Sequence, residues 1–491
     1  MRITLDDNEI KAPKSKPIKQ DVIQKKLKTK KNKIKKDSPK IKKITKIIFI
    51  IAGILLTIFL SYAGYIVYKA YKTGIEIGLK LNASDLISQE TATLAKDSTG
   101  TYTNILIVGI DTRETGNLLN TDTIILVSYN HNTNNVIMMS IPRDFHVQAN
   151  PDVYWFTRIN AVYSNYQQQG EEEGLLRLRD VVTEVTGQEI QYHAMIDYNG
   201  FIELIDFLGG IDVNVENSFI DYMYPADSGG YKTVSFEEGP QTMDGETALE
   251  YARSRHSMNN NEGSDFARAR RQQNVINAVL NKIISNSLLD PQSIMSLFNV
   301  IQDNLKASEF TIDDIKAGIN EVNKLQESGN IFSLILDPTA GANKLITSKN
   351  VVSTGAYAIG PIDGLGNYED IQEYIQYVWN DPQLYEEDPT IRIYNTGLGY
   401  TETREKYSAF IEQFPYLRVL YMGTLYNNKQ NTVSYINSDE GYIYSLQSIN
   451  KYLNADSTEK PEYITTSLNG EDITILYGEQ IISTNNTQET E

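Results

Sequence analysis

Residues 107–130 read IVGIDTRETGNLLNTDTIILVSYN. Two apolar runs flank a polar loop, a pattern that predicts two sheet strands joined by a connection. Each strand meets an aspartate at the loop, Asp111 or Asp122, and Arg113 stands close to the first. Aspartate at a strand end is ordinarily a turn residue, because its carboxylate accepts from nearby backbone N–H groups. The loop alone therefore does not demand chemistry.

Outward from this loop the pattern is that of an α/β body. Strands are predicted at Asn104–Gly109, Thr123–Tyr129, Val136–Ile141, His193–Ile196 and Ile211–Val215. Helices are predicted at Glu173–Val185, Asn199–Leu208, 292–305 and 312–326, and two more begin near Asp244 and Asp265, with Asp265 as N-cap. A strand at Val351–Ile359 and a helix at Tyr368–Trp379 end this domain, 98–380. Asn380–Pro389, NDPQLYEEDP, reads as a linker. A second, smaller α/β domain, 388–479, follows with strands at Thr390–Asn395, Leu417–Met422 and Asp472–Tyr477 and a helix at Thr401–Gln413. Residues 480–491 read as a disordered tail.

Charge is distributed unevenly. Residues 1–46 hold 17 Lys or Arg against 5 Asp or Glu, so a chain of net −18 has a body of −30 behind a head of +12. Residues 47–68, IIFIIAGILLTIFLSYAGYIVY, carry no charge. As a helix they reach roughly 33 Å, enough to cross a bilayer core. Tyr62, Tyr65 and Tyr68 gather toward one end, as at a membrane interface. The basic side stays in the cytoplasm by the positive-inside rule, which predicts a single-pass cell-membrane protein: cytoplasmic head, transmembrane helix, stem at 69–97 and an extracytoplasmic body. The head then meets anionic lipid rather than nucleic acid, whose phosphates the acidic body would repel. There is no cysteine, which excludes disulfides and thiol catalysis, and His131, His146, His193 and His256 lack the spacing of a zinc site.

Against the acidic background, arginines collect where elements end. SIPRDF places Arg143 and Asp144 after a strand, FTRINAVY places Arg158 and Asn160 before a helix, and ALEYARSRHS carries Arg253 and Arg255. Two apart in an extended segment, that pair would point to one side. In DFARARRQQNVINAVL, Arg268, Arg271, Gln272 and Val275 share one face by helical spacing. Each cluster alone is also what a solvated surface looks like. Together they suit phosphate, which the planar guanidinium fork binds bidentately. Carboxylates among arginines suggest Mg²⁺, which takes one or two of them and fills its shell with water and phosphate oxygens. The favoured chemistry is phosphoryl transfer or hydrolysis on a diphosphate.

The stretches NILIVGIDTR, TDTIILVSYN, MSIPRDF, RINAVY, IDYNGFIELIDFLGGIDVNVE, GPQTMDGETALEYARSRHS and SDFARARRQQ resemble, in family order, the LytR-CpsA-Psr family of bacterial cell-wall ligases. Residues 388–479 resemble more weakly the C-terminal domain that some members carry. The resemblance implies a twisted sheet flanked by helices, with an apolar tunnel for a polyprenyl chain. It implies Mg²⁺-dependent transfer of a teichoic acid or capsular polysaccharide from a polyprenyl-pyrophosphate carrier to peptidoglycan. By position, Asp111 and Asp122 would hold the metal. Arg113, Arg143, Arg158, Arg268, Arg271 and Gln272 would bind the pyrophosphate. Arg253 and Arg255 would act at the reacting phosphate, and Asp265 would position or deprotonate the acceptor hydroxyl. Two departures stand out: Asn120 where many relatives have Arg, and Arg158 where many have Lys. A polyprenyl-pyrophosphate hydrolase and a non-catalytic wall-binding or regulatory anchor are the alternatives.

Overall fold

A computed structural model describes residues 93–111, 119–226, 229–285, 291–308, 311–336, 345–347, 358–425, 432–436, 441–457, 460–461 and 471–478. The basic head, the apolar run 47–68, most of the stem and the tail from 480 lie outside them. Among the described residues no helix is long and apolar enough to cross a membrane.

The chain enters its main sheet with β1 (Tyr102–Ile110), β2 (Thr121–Asn130) and β3 (Val136–Ser140), followed by a hairpin of β4 (His146–Asn150) and β5 (Trp155–Arg158). Helices α1 (Val162–Tyr166) and α2 (Glu171–Thr186) lead to β6 (Tyr192–Asp197) and α3 (Tyr198–Phe207). Next come β7 (Ile211–Val215), β8 (Phe219–Pro225), β9 (Tyr231–Phe236), β10 (Gly239–Met243), α4 (Gly245–Arg253) and α5 (Asp265–Ser285). Helix α6 (Pro291–Ile301), β11 (Leu305–Ala307), α7 (Ile312–Ser328) and β12 (Ile331–Ile335) complete the sheet. Its order is β11-β6-β1-β2-β3-β12. β1 and β6 run parallel, as do β3 and β12, while β2 is antiparallel to both of its neighbours. The carboxyl ends of β1, β3 and β6 and the amino end of β2 therefore share one edge, where open α/β sheets bind ligands.

The central strands are buried on both faces. Leu106, Val108, Ile124, Leu126, Ile137 and Met139 enter one core with Leu178, Val181 and Val182 of α2. Ile125, Tyr129 and Met138 pack on the other face with Leu325 of α7. Helix α5 is pinned across the sheet by Gln273, whose Nε2 donates to Ser140 Oγ at 2.9 Å and to the Leu334 carbonyl at 2.7 Å.

Helix α8 (Glu369–Asn380) and helix α9 (Pro382–Glu387) follow. The second of these overturns the linker expectation. Pro382 starts α9 at a position where a missing N–H costs nothing, and Leu384 and Tyr385 are buried. A five-stranded sheet then contains Thr390–Asn395, Arg418–Thr424, Val433–Ile436, Asp456–Ser457 and Ile473–Tyr477. Its apolar face, through Ile391, Ile393 and Ile475, is continuous with the core that holds Val378, Trp379, Leu384 and, from the helix Tyr400–Gln413, Phe410. The helix Ile443–Leu453 and the hairpins β4–β5 and β8–β9 were absent from the sequence expectations. The expected strand Val351–Ile359 lies mostly outside the described residues; Ile359 bridges Phe145.

His193 on β6 carries a testable consequence. Its Nδ1 is buried without a hydrogen-bond partner among the described residues, and burial, aided by Arg179, pushes the imidazole below its usual 6.5. The unfolded chain then binds the proton more readily than the folded one. This contribution to stability is present above pH 6.5 and is lost as pH falls toward the folded value. We expect the thermal midpoint to drop on acidification below pH 6.5 and His193→Gln to flatten that slope. An unchanged slope in the variant would contradict the assignment.

Candidate functional site

Asp111 leaves the end of β1. Asp122 owes its place to a bulge: Gly109 pairs with Thr123 and Ile110 with Thr121, so Asp122 is the extra residue in β2. Simple alternation would send only one of Asp122 and Thr123 to a given side, whereas here both line the same cavity. Gly109 belongs to this device, because a Cβ there would lie 2.9 Å from Thr123 Cβ.

The cavity, about 990 Å³, is open at the shared strand edge. Asp111, Asp122, Arg143, Arg158, Arg253, Arg255, Arg268 and Gln272 all line it, together with Asn120, the residue at the departure from the commoner arginine. Tyr198, Pro225 and Ala226 add apolar surface to its wall.

Most of the charges are already paired. Arg253 Nη2 meets Asp111 Oδ2 at 3.1 Å, and its Nη1 donates to Tyr224 Oη at 3.0 Å. The same guanidinium stacks on Tyr198, 4.1 Å from the ring centre. Arg143 Nη1 donates to both Asp122 oxygens at 3.1 Å, with Asp144 at 3.7 Å and Asp265 at 3.5 Å from other nitrogens. Arg158 Nε lies 3.2 Å from Asp144 Oδ1. Arg268 Nη1 lies 3.2 Å from Asp265 Oδ1. Arg255 differs: it is exposed, and its guanidinium makes no ion pair among the described residues.

Burial and pairing oppose each other here. Burial works against the charge of Arg143, yet Asp122, Asp265 and Asp144 outweigh it and raise the pKa above its ordinary value. Burial likewise opposes Arg253, and Tyr198, Tyr224 and Asp111 reverse it. For Arg268 burial prevails over Asp265 and the pKa is lowered. The Asp144 carboxyl is pushed up by burial, against Arg143 and Arg158. Burial also raises the Tyr198 phenol.

Three expectations need correction. Arg271 does not line the cavity. It is 3% exposed and gives its protons to the carbonyls of Tyr251, Ser254 and Glu262 and to the Glu262 carboxylate, with Phe219 beneath it at 4.6 Å. Burial lowers its pKa. The helical face was drawn too wide: Arg268 and Gln272 face the cavity, while Arg271 turns inward with Val275. Second, Ser264, not Asp265, caps α5, since its Oγ accepts from Ala267 N at 3.0 Å. Asp265 is the first helical residue and opens into a small adjoining pocket with Phe266 and Ile359. Third, the Arg253–Arg255 stretch is not all extended; α4 runs through Arg253 and only Ser254 turns out of it. Arg113 lies outside the described residues.

Tyr198, Asp221 and His256 also line the cavity. Tyr198 lies two residues past the predicted strand end at Ile196, just before a predicted helix, and was legible in principle. His256 stands in the quoted ALEYARSRHS stretch, next to Arg255, whereas Asp221 comes from a hairpin with no local signal.

A model described as the LytR_cpsA_psr family matches residues 64–339, more than half of the chain. The chain belongs to the LytR_cpsA_psr family. Among curated LytR_cpsA_psr relatives, the polyisoprenyl-teichoic acid–peptidoglycan teichoic acid transferase TagV of Bacillus subtilis is 30% identical over 250 residues. The match covers 50% of this chain and 60% of TagV's own length. The TagU transferase of Oceanobacillus iheyensis is 32% identical over 244 residues, 49% of this chain and 70% of that one. The crystal structure of B. subtilis TagV overlaps with a TM-score of 0.43 at 24% identity, over 57% of this chain and 98% of that chain.

Proposed function

We propose that this chain is a membrane-anchored phosphotransferase that moves a glycopolymer from a polyprenyl-pyrophosphate carrier onto peptidoglycan. The observation that carries this reading is the lining of one cavity by five arginines and two strand-end aspartates, Asp111 and Asp122, in a family whose relatives are named as teichoic acid transferases. The uncharged run 47–68 supports the anchor.

In this reading Arg255, with no internal carboxylate partner among the described residues, takes up phosphate oxygens without breaking an ion pair. Arg268 is buried, Arg143 and Arg253 are half-buried, and all three are held in place by carboxylates or rings, so their charge is set before substrate arrives. Asp111 and Asp122 fit a hard, oxygen-seeking ion. No group of three or more metal-ligating side chains encloses a site among the described residues. Two carboxylates beside a phosphate site are nonetheless the donor set that Mg²⁺ uses. Bound there, Mg²⁺ would offset the charge that develops on the leaving phosphate.

The test uses the full-length chain in detergent with a polyprenyl-pyrophosphate-linked oligosaccharide, Mg²⁺ and uncrosslinked peptidoglycan fragments. We expect a glycan–peptidoglycan product that disappears in Asp122→Ala and Arg255→Ala, and with EDTA until Mg²⁺ is returned. Release of free glycan phosphate alone would make the protein a hydrolase, and binding without product would make it an anchor. Turnover that ignores EDTA would refute the role of Asp111 and Asp122.

A further inference from the structure

Among the groups that line the cavity, one imidazole stands outside the arginine–carboxylate pairs. His256 follows α4 by three residues, and its side chain is 33% exposed. Its Nδ1 is turned inward and buried, with no hydrogen-bond partner among the described residues, and lies 3.7 Å from Asp221 Oδ2. The Asp221 side chain is 1% exposed. Its Oδ2 accepts the backbone N–H groups of Arg255 at 3.0 Å and His256 at 3.1 Å, and its Oδ1 accepts that of Met223 at 2.8 Å. A buried carboxylate thus fixes the backbone that carries the ring and sits behind one ring nitrogen, while the exposed part of the ring borders the cavity.

We propose that His256 is the general base of the transfer, with Asp221 as its positioning residue. This rests on the transferase reading above. The acceptor sugar hydroxyl gives its proton to His256 Nε2 as its oxygen bonds to the phosphorus that bears the glycan. The bond from that phosphorus to the bridging oxygen breaks, and polyprenyl monophosphate leaves with the electron pair. Asp221 stabilises the imidazolium that forms and holds the ring against rotation. Asp265 is less suited to the task. Its two oxygens are engaged by Arg143 and Arg268, and it opens into the neighbouring pocket rather than this cavity.

The test measures transfer by the full-length chain in detergent, with the lipid-linked oligosaccharide and peptidoglycan fragments. His256→Ala is expected to lower kcat by about 100-fold or more with little change in KM, the usual share of a general base. Added imidazole is expected to restore part of that loss. Asp221→Asn should lower kcat in the wild-type background and add little in the His256→Ala background, because residues acting as one unit are not additive. A stability effect alone would act equally in both. If wild type transfers and His256→Ala stays within about threefold of it, the base assignment is wrong and the transferase reading stands. A loss that imidazole does not repair also overturns it, provided His256→Gln melts as wild type does. Absence of product from wild type rejects the transferase reading itself.

Discussion

Glu262→Ala is expected to cost about 3–5 kcal/mol of folding stability, because it leaves a buried guanidinium without its counter-charge. Glu262 is 4% exposed and pairs with Arg271, while Arg270 approaches its other oxygen at 3.7 Å and Asn217 donates to it at 3.2 Å. Arg271 cannot turn to water. Three further protons go to the carbonyls of Tyr251, Glu262 and Ser254, and Phe219 and Tyr251 enclose it. The carbonyls of Tyr251 and Ser254 belong to the stretch that delivers Arg253 and Arg255 to the cavity. Arg271 therefore acts on the site through the backbone, without facing it. Denaturant unfolding of wild type and variant, at matched m-values, measures the loss. A difference below about 1 kcal/mol, the range of an exposed pair, would mean that water reaches Arg271.

Arg143→Ala is expected to lower kcat/KM for transfer by about 10²–10³-fold, the effect of deleting a preorganised charge donor in a water-poor site. Three carboxylates, Asp122, Asp144 and Asp265, lie within 4 Å of this one guanidinium. Without it they repel one another, and the Asp144 carboxyl, already pushed up by burial, loses its largest opposing influence. Its folded pKa then rises further above the ordinary 3.8. The folded state binds the proton more readily than the unfolded state, so this group's contribution to stability falls as pH rises. The stability lost on Arg143→Ala should therefore be smaller at pH 5 than at pH 7.5, roughly across the carboxylate range. Arg143→Lys keeps a charge without the fork and should fall between wild type and alanine. A variant with wild-type kcat/KM, or a loss that grows toward low pH, would contradict this account.

Much of the fold was legible because its signals are local. The apolar strands β1, β2 and β3 follow from periodicity, and the helix start expected near Asp244 is the start of α4, which Asp244 caps. The hairpins β4–β5 and β8–β9 were not legible, since they are short and partly exposed and carry weak alternation. The segment from Asn380 misled for a different reason. Its acids and prolines look like a linker, but Leu384 and Tyr385 bury themselves in a core made by residues far away.

By itself the sequence determined the strand pattern, the basic head before an uncharged run, and a set of arginines and aspartates suited to phosphate. Those properties depend on residue type and spacing over a few turns. Only the tertiary structure decided which of these residues meet. One bulge turns Asp122 into the cavity beside Thr123, and a rotation of one position along α5 sends Arg271 into the core while Arg268 and Gln272 face the cavity. Asp221 and His256 come together from separate elements. Such pairings arise from register and packing between distant segments, which no local pattern encodes.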